Sequence, residues 1–221
     1  MTAVESIDLR TRLEKCRILP VVDVADSNDA RDLGSALLAS GLAQIELTLR
    51  RPGALEAVAA AAEDSRLFVG AGTVLSAAQA RDCLAAGARF IVSPGTDREV
   101  IAACLDAGVP VLPGVATPTD LMTATSMGID MVKFFPAHVL GGVTTIRALA
   151  GPFPAVRFVP TGGIDSTRAP SYLDEHAVLA VGGSWMAPRE LIQEHDWSAI
   201  SALALEAMQI GGGIEPAVGA R

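Results

Sequence analysis

The sequence predicts an α/β protein and, within that class, a (β/α)8 or TIM barrel with an extra N-terminal helix. Three observations carry this reading. Short apolar, β-branched runs alternate with Ala-rich amphipathic stretches along the chain. Eight such runs recur every ~20–25 residues, the spacing of minimal βα units. No linker, composition break or low-complexity tract interrupts the 221 residues, so residues 1–221 are expected to form a single domain.

The predicted strands are Ile18–Val24, Gln44–Leu49, Leu67–Gly70, Phe90–Ser93, Val109–Leu112, Met131–Phe135, Arg157–Pro160 and Val178–Val181. Between them lie helical segments at Ser27–Ser40, Gly53–Glu63, Ser76–Ala86, Arg98–Ala107, Thr119–Met127, Gly142–Ala150 and Ser166–Glu175. Ser27, Ser76, Thr96 or Asp97, and Pro118-Thr119 stand where N-caps or first-turn residues belong. Gly41, Gly87, Gly108 and Gly128 stand where a left-handed residue ends a helix. Residues 1–17 read as a helix capping the barrel bottom, and 211–221 as a mobile tail. The competing fold is a doubly wound open sheet. Its first turn should carry G-x-G-x-x-G, whereas this chain has Val24-Ala25-Asp26-Ser27.

Composition narrows the function. A net charge of −8 argues against nucleic acid and against a basic membrane-binding face, but not against a small anionic substrate held by a local site. Cys16, Cys83 and Cys104 are odd in number, widely spaced and without CxxC, so buried thiols in a reducing compartment are expected. The first residues lack an apolar signal-peptide core, and no apolar run is long enough to span a bilayer. A soluble, cytoplasmic protein is expected. His138, His176 and His195 are scattered and no metal-binding spacing occurs, so no metal is expected.

Fifteen of the seventeen basic residues are arginine, which makes Lys133, in Met131-Val-Lys-Phe-Phe-Pro136, conspicuous. An ammonium in an apolar strand is disfavoured by desolvation, and loss of its proton leaves the neutral amine that Schiff-base chemistry needs. The structural alternative is a lysine snorkelling at a strand edge. Strand alternation turns Met131, Lys133 and Phe135 to one face, Val132 and Phe134 to the other. In Ile45-Glu-Leu-Thr-Leu-Arg50 the same alternation turns Glu46, Thr48 and Arg50 inward. Glu46 and Arg50 are too far apart to pair along one strand. Glu46 therefore suits proton transfer and Arg50 a carboxylate fork, unless both belong to an interior ion network. Gly70-Ala-Gly-Thr-Val74 allows close backbone approach, with the Thr73 hydroxyl as a donor. Two Gly-Gly pairs, Thr161-Gly162-Gly163 and Gly182-Gly183-Ser184, fall in the loops after strands seven and eight, where barrels commonly bind phosphate. Ordinary turn glycines would look similar.

Taken in order, Glu46-Leu-Thr-Leu-Arg50, Gly70-Ala-Gly-Thr-Val74, Ser93-Pro-Gly95, Lys133-Phe-Phe-Pro-Ala137, Pro160-Thr-Gly-Gly-Ile164 and Gly182-Gly-Ser-Trp185 resemble a known family. It is that of the 2-dehydro-3-deoxy-phosphogluconate (KDPG) and 4-hydroxy-2-oxoglutarate (KHG) aldolases, and the likeness runs from about Ile18 to Pro188. The resemblance implies a class I aldolase: a metal-independent, cofactor-free carbon–carbon lyase on a (β/α)8 barrel. It also implies a homotrimer whose partners are small molecules, pyruvate and a phosphorylated keto-deoxy sugar acid. Carried over by motif, Lys133 would form the Schiff base and Glu46 would be the general acid/base. Arg50 and Thr73 would hold the pyruvate carboxylate, while Pro94, Phe135 and Thr161 would line the pocket. Gly162, Gly163, Gly183 and Ser184 would bind phosphate. Two residues depart from the pattern. His138 stands where the family often has Glu. Asp23 stands where some relatives place arginine, and an inward carboxylate there would weaken phosphate binding. The readings set against the aldolase are a sugar-phosphate isomerase or epimerase, a metal-dependent pyruvate aldolase, and a non-catalytic phosphosugar-binding protein.

Overall fold

Every strand ladder in the computed structural model, which describes residues 3–212, is parallel. The chain begins with α1 (Ala3–Cys16) and then runs β1 (Ile18–Val22), α2 (Ser27–Ala39), β2 (Gln44–Thr48), α3 (Ala54–Ala62), β3 (Phe68–Gly72) and α4 (Ala77–Ala85). It continues β4 (Phe90–Val92), α5 (Arg98–Ala107), β5 (Val111–Leu112), β6 (Gly114–Val115), α6 (Pro118–Ser126) and β7 (Met131–Phe134). It ends α7 (Gly142–Ala150), β8 (Arg157–Pro160), α8 (Ala169–Leu173), β9 (Val181–Gly183), α9 (Arg189–Gln193) and α10 (Trp197–Gly211). A six-stranded sheet of order β5-β4-β3-β2-β1-β9 faces a three-stranded sheet β6-β7-β8. Of the predicted tail 211–221, Gly211 closes α10 and Gly212 caps it, which corrects those two positions; 213–221 lie outside the described residues.

The eightfold pattern is altered in two places. The fifth predicted strand, Val109–Leu112, shortens to Val111–Leu112, and past Pro113, which has no N–H to give a ladder, a further strand follows that the prediction did not include. Val111–Leu112 pairs with β4 and Gly114–Val115 with β7. The Pro113 carbonyl accepts from the Lys133 N–H at 2.9 Å. The eighth strand is Val181–Gly183 rather than Val178–Val181. Val178 makes only an isolated bridge to Phe158, whereas Gly182 and Gly183 pair with Leu19 and Pro20 of β1. These two glycines are therefore strand residues and not loop residues. A Cβ on Gly182 would lie 2.2 Å from Thr161 Oγ1, and one on Gly183 2.0 Å from the Trp185 ring. Likewise β3 extends through Gly72. A Cβ on Gly70 would strike the Phe90 ring at 2.1 Å, and one on Gly72 would strike Glu46 Oε1 at 2.2 Å. Glycine at these positions clears interior space for larger neighbours.

Alternation along the strands sorts the apolar residues into two cores. Ile18, Val22, Ile45, Leu47, Val69, Ile91, Val132, Phe134 and Phe158 face outward and pack against the helices. Leu19, Phe68, Phe90, Leu112, Met131 and Val159 face inward, and Leu9 and Leu13 of α1 join them. Leu19, Phe68, Phe90 and Met131 lie at or near the starts of their strands, so α1 seals the amino end of the sheets. There the Phe68 and Phe90 rings stack with centroids 5.6 Å apart.

Helix starts follow their sequence signals. Ser76 and Asp97 cap α4 and α5, and Thr117 forms a capping box with Asp120 ahead of Pro118. Asp26, one residue before Ser27, caps α2, accepting from the Asn28 and Asp29 N–H groups. Gly41, Gly87, Gly108 and Gly128 all have positive φ, between 69° and 99°. The three cysteines are free and buried. Burial pushes the Cys83 thiol up to about 11 and that of Cys104 up to about 12, which keeps them protonated packing groups.

Candidate active site

Lys133 and Glu46 meet in the interior. Lys133 is on β7 and Glu46 on β2, strands that do not pair, so the two side chains reach across from facing strands. Lys133 Nζ donates to Glu46 Oε1 at 3.0 Å and to Oε2 at 3.2 Å. Glu46 is 1% exposed and Lys133 6%. Alternation places both: Met131, two residues before Lys133, lies in the inward core, while Val132 and Phe134 lie in the outward one. Neither charge could be buried alone without large desolvation cost. Lys133 Nζ also sits 5.5 Å from the centroid of the Phe135 ring.

A cavity of about 290 Å³ opens at the carboxyl end of the strands. Thr48, Arg50, Phe135, Thr161, Gly162, Gly163, Gly183 and Ser184 line it, with Asp23 and Arg189. All four predicted phosphate residues thus share one cavity with Arg50, Phe135 and Thr161. The Thr161 and Gly162 carbonyls accept from the Ala137 and His138 N–H groups at 2.8 and 3.0 Å. In a planar trans peptide the N–H opposes the C=O. The Gly162 and Gly163 amides therefore point away from the β7 turn. Gly162 and Gly163 have φ of 102° and 72°, a conformation that favours glycine.

Arg50 keeps the alternation past the end of its strand: β2 ends at Thr48, yet Leu49 packs on the outward core while Arg50, an exposed residue, borders the cavity with Thr48. Its Nε donates to Thr73 Oγ1 at 3.4 Å, which does join the two predicted carboxylate-binding residues. Thr73 and Pro94 are not among the cavity-lining residues. Pro94 crosses over Gly114, where a Cβ would lie 2.2 Å from the Pro94 carbonyl. The Ser93 hydroxyl, donating to the Gly95 carbonyl at 2.7 Å, fixes that turn. His138 backs Gly163, where a Cβ would lie 2.7 Å from His138 Cβ, and does not line the cavity.

Sequence reasoning assigned nothing to Arg189, which follows Pro188 at the start of α9 and reaches the cavity rim. No motif marked it. Thr48 was placed inward by alternation but given no role, although it too borders the cavity.

The chemistry available is clear from these neighbours. A primary amine and a carboxylate are hydrogen-bonded in the buried interior, beside a cavity with cationic, hydroxyl and amide donors. Residues 9–203 match the family model for KDPG and KHG aldolase. The 2-dehydro-3-deoxy-phosphogluconate aldolase of Treponema pallidum is 46% identical over 201 residues, 90% of this chain and 96% of that protein. The crystal structure of KDPG aldolase from Legionella pneumophila, with pyruvate captured as a covalent carbinolamine intermediate, superimposes with a TM-score of 0.86. It is 40% identical, over 90% of this chain and 97% of its own. The KDPG aldolase of Zymomonas mobilis with 3-phosphoglycerate also gives a TM-score of 0.86, at 40% identity over 91% of this chain and 95% of that one. The chain belongs to the KDPG and KHG aldolase family.

Proposed function

We propose that this protein is a class I aldolase that cleaves KDPG reversibly to pyruvate and glyceraldehyde 3-phosphate, with KHG as a second substrate. The observation that carries the reading is the buried Lys133–Glu46 pair, 3.0 Å apart at the cavity end of the strands.

The steps follow from that pair. Transfer of a Lys133 proton to Glu46 leaves the amine neutral, and its lone pair attacks the C2 ketone. The resulting carbinolamine loses water, its oxygen protonated by Glu46, to give an iminium. That cation accepts the electrons of the breaking C3–C4 bond. Glu46, through a water, takes the C4 hydroxyl proton, and glyceraldehyde 3-phosphate leaves. Protonation of the enamine at C3 and hydrolysis of the iminium release pyruvate and regenerate the amine. Arg50, in contact with Thr73, holds the pyruvate carboxylate as a fork. Phe135 and Pro94 border the pyruvate end and Thr161 the sugar chain. The Gly162, Gly163 and Gly183 backbone and the Ser184 hydroxyl receive the phosphate. Preorganised donors of this kind act where charge sits or develops.

The two sheets read as one closed (β/α)8 barrel in a single domain. The single residue Pro113 between β5 and β6 supports this, as do the bridges Phe158–Val178 and Thr161–Gly182 between the β8 and β9 regions. We further read the protein as a cytoplasmic homotrimer. Val139, Met122 and Leu75, 80%, 63% and 63% exposed, are apolar side chains that a subunit contact would cover. Among the described residues no helix is long and apolar enough to cross a membrane.

Pyruvate release from KDPG, followed by coupled reduction to lactate, tests the function. Glu46→Gln should slow turnover about 10²–10⁴-fold, the usual worth of a general acid/base, while still forming some Schiff base. Absence of pyruvate from the wild-type reaction would refute the reading, and so would full activity in Glu46→Gln.

A further inference from the structure

Among the described residues, three buried side-chain polar atoms have no hydrogen-bond partner: Asp23 Oδ1, Thr48 Oγ1 and Trp185 Nε1. Two of them, on Asp23 and Thr48, border the same cavity. A buried polar atom left unpaired is unfavourable, and in a native structure it points to something that completes it.

The strand register places these two atoms side by side. Val21 pairs with Glu46 and Val22 with Leu47. One step further along both strands sets Asp23 beside Thr48, and in a parallel ladder such neighbours project to the same face. That face is the inward one, because Leu19 and Val21 belong to the inner core while Val22 and Val24 belong to the outer. On its other side β1 pairs with β9, whose last residue, Gly183, precedes Ser184. Thr48 therefore follows Glu46 by two residues on β2, and Asp23 stands between Thr48 and the loop that begins at Ser184. The pair's charged neighbours on the cavity are Arg50 and Arg189. The structure shows no hydrogen bond or ion pair from either arginine to Asp23.

We propose that Asp23 and Thr48 form a hydroxyl-reading pair for the aldehyde half of the substrate, with Asp23 setting the preference between hydroxyl-bearing and phosphate-bearing chains. The proposal rests on the aldolase reading above. A substrate hydroxyl can donate to Asp23 Oδ1 and accept from the Thr48 hydroxyl, completing both atoms at once. A phosphate dianion has no proton to donate, and a carboxylate nearby repels it. The glycine loops, Ser184 and Arg189 favour phosphate; Asp23 opposes them. Unphosphorylated 2-dehydro-3-deoxy sugar acids are therefore competitive substrates for this chain.

The test compares kcat/KM for KDPG and for unphosphorylated 2-dehydro-3-deoxygluconate in wild type, Asp23→Asn and Thr48→Val, with borohydride trapping of pyruvate as the check on folding. In Asp23→Asn the ratio of KDPG to unphosphorylated substrate should rise about tenfold or more, the effect of removing one charge–charge contact. Thr48→Val should lower kcat/KM for both sugar acids about tenfold by leaving a substrate hydroxyl unpaired. An unchanged ratio in an Asp23→Asn protein that still traps pyruvate overturns the proposal alone. A wild-type protein that traps no pyruvate and cleaves neither sugar acid overturns the aldolase reading and the proposal with it.

Discussion

The inward face of the strands has two ends of opposite character. At the amino end it carries Leu19, Phe68, Phe90 and Met131, sealed by Leu9 and Leu13 of α1. Two or four residues later on the same face stand Asp23 after Leu19, Lys133 after Met131 and Thr161 after Val159, with Glu46 and Thr48 on β2. Identical backbone geometry thus holds a dry plug at one end and a polar cluster at the other. The plug supplies apolar contact that the buried polar end lacks, and it closes the amino side beneath Lys133 and Glu46. Stability and reactivity are separated by only two to four residues along these strands, so substitutions at the two ends should fail in different ways.

The largest expected effect is at the polar end. Lys133→Met should reduce aldol cleavage to background. It should also lower stability by about 3–5 kcal/mol, because Glu46 would remain as an uncompensated buried charge. Denaturant unfolding of Lys133→Met with Glu46→Gln should recover much of that stability while cleavage stays absent. Retained turnover in Lys133→Met would break the comparison. At the apolar end Phe90→Ala removes a ring that is fully buried and stacked on Phe68. It should cost about 3–5 kcal/mol in denaturant unfolding. Below the unfolding transition its kcat should stay within a few-fold of wild type, and a kcat loss matching that of Glu46→Gln would contradict the division.

Much of this was legible in the sequence because strand alternation is a local rule. Parity alone turns Glu46 and Thr48 inward and sets Lys133 on the face opposite Val132 and Phe134, and the ladders keep that parity. The rule carries even two residues past the end of β2, where Arg50 still borders the cavity with Thr48, although alternation does not show that Arg50 is exposed there. The glycines were harder to read. Gly72, Gly182 and Gly183 resemble loop residues in one dimension, yet each sits in a strand and, like Gly70, is glycine where a neighbouring side chain occupies the Cβ space. That information lives in contacts with Phe90, Glu46, Thr161 and Trp185, which no spacing reveals. The end of the fifth strand has a visible cause in Pro113, but the further strand beyond it, with its change of sheet partner, is tertiary. Family motifs located the cavity walls more fully than periodicity did, while Arg189 belonged to neither signal.

Incubating the protein with pyruvate and borohydride, then mapping the modified peptide by mass spectrometry, tests the central claim most directly. The claim predicts one reduced pyruvate adduct, located on Lys133 and absent from Lys133→Met. No adduct, or an adduct that persists in Lys133→Met, would contradict it.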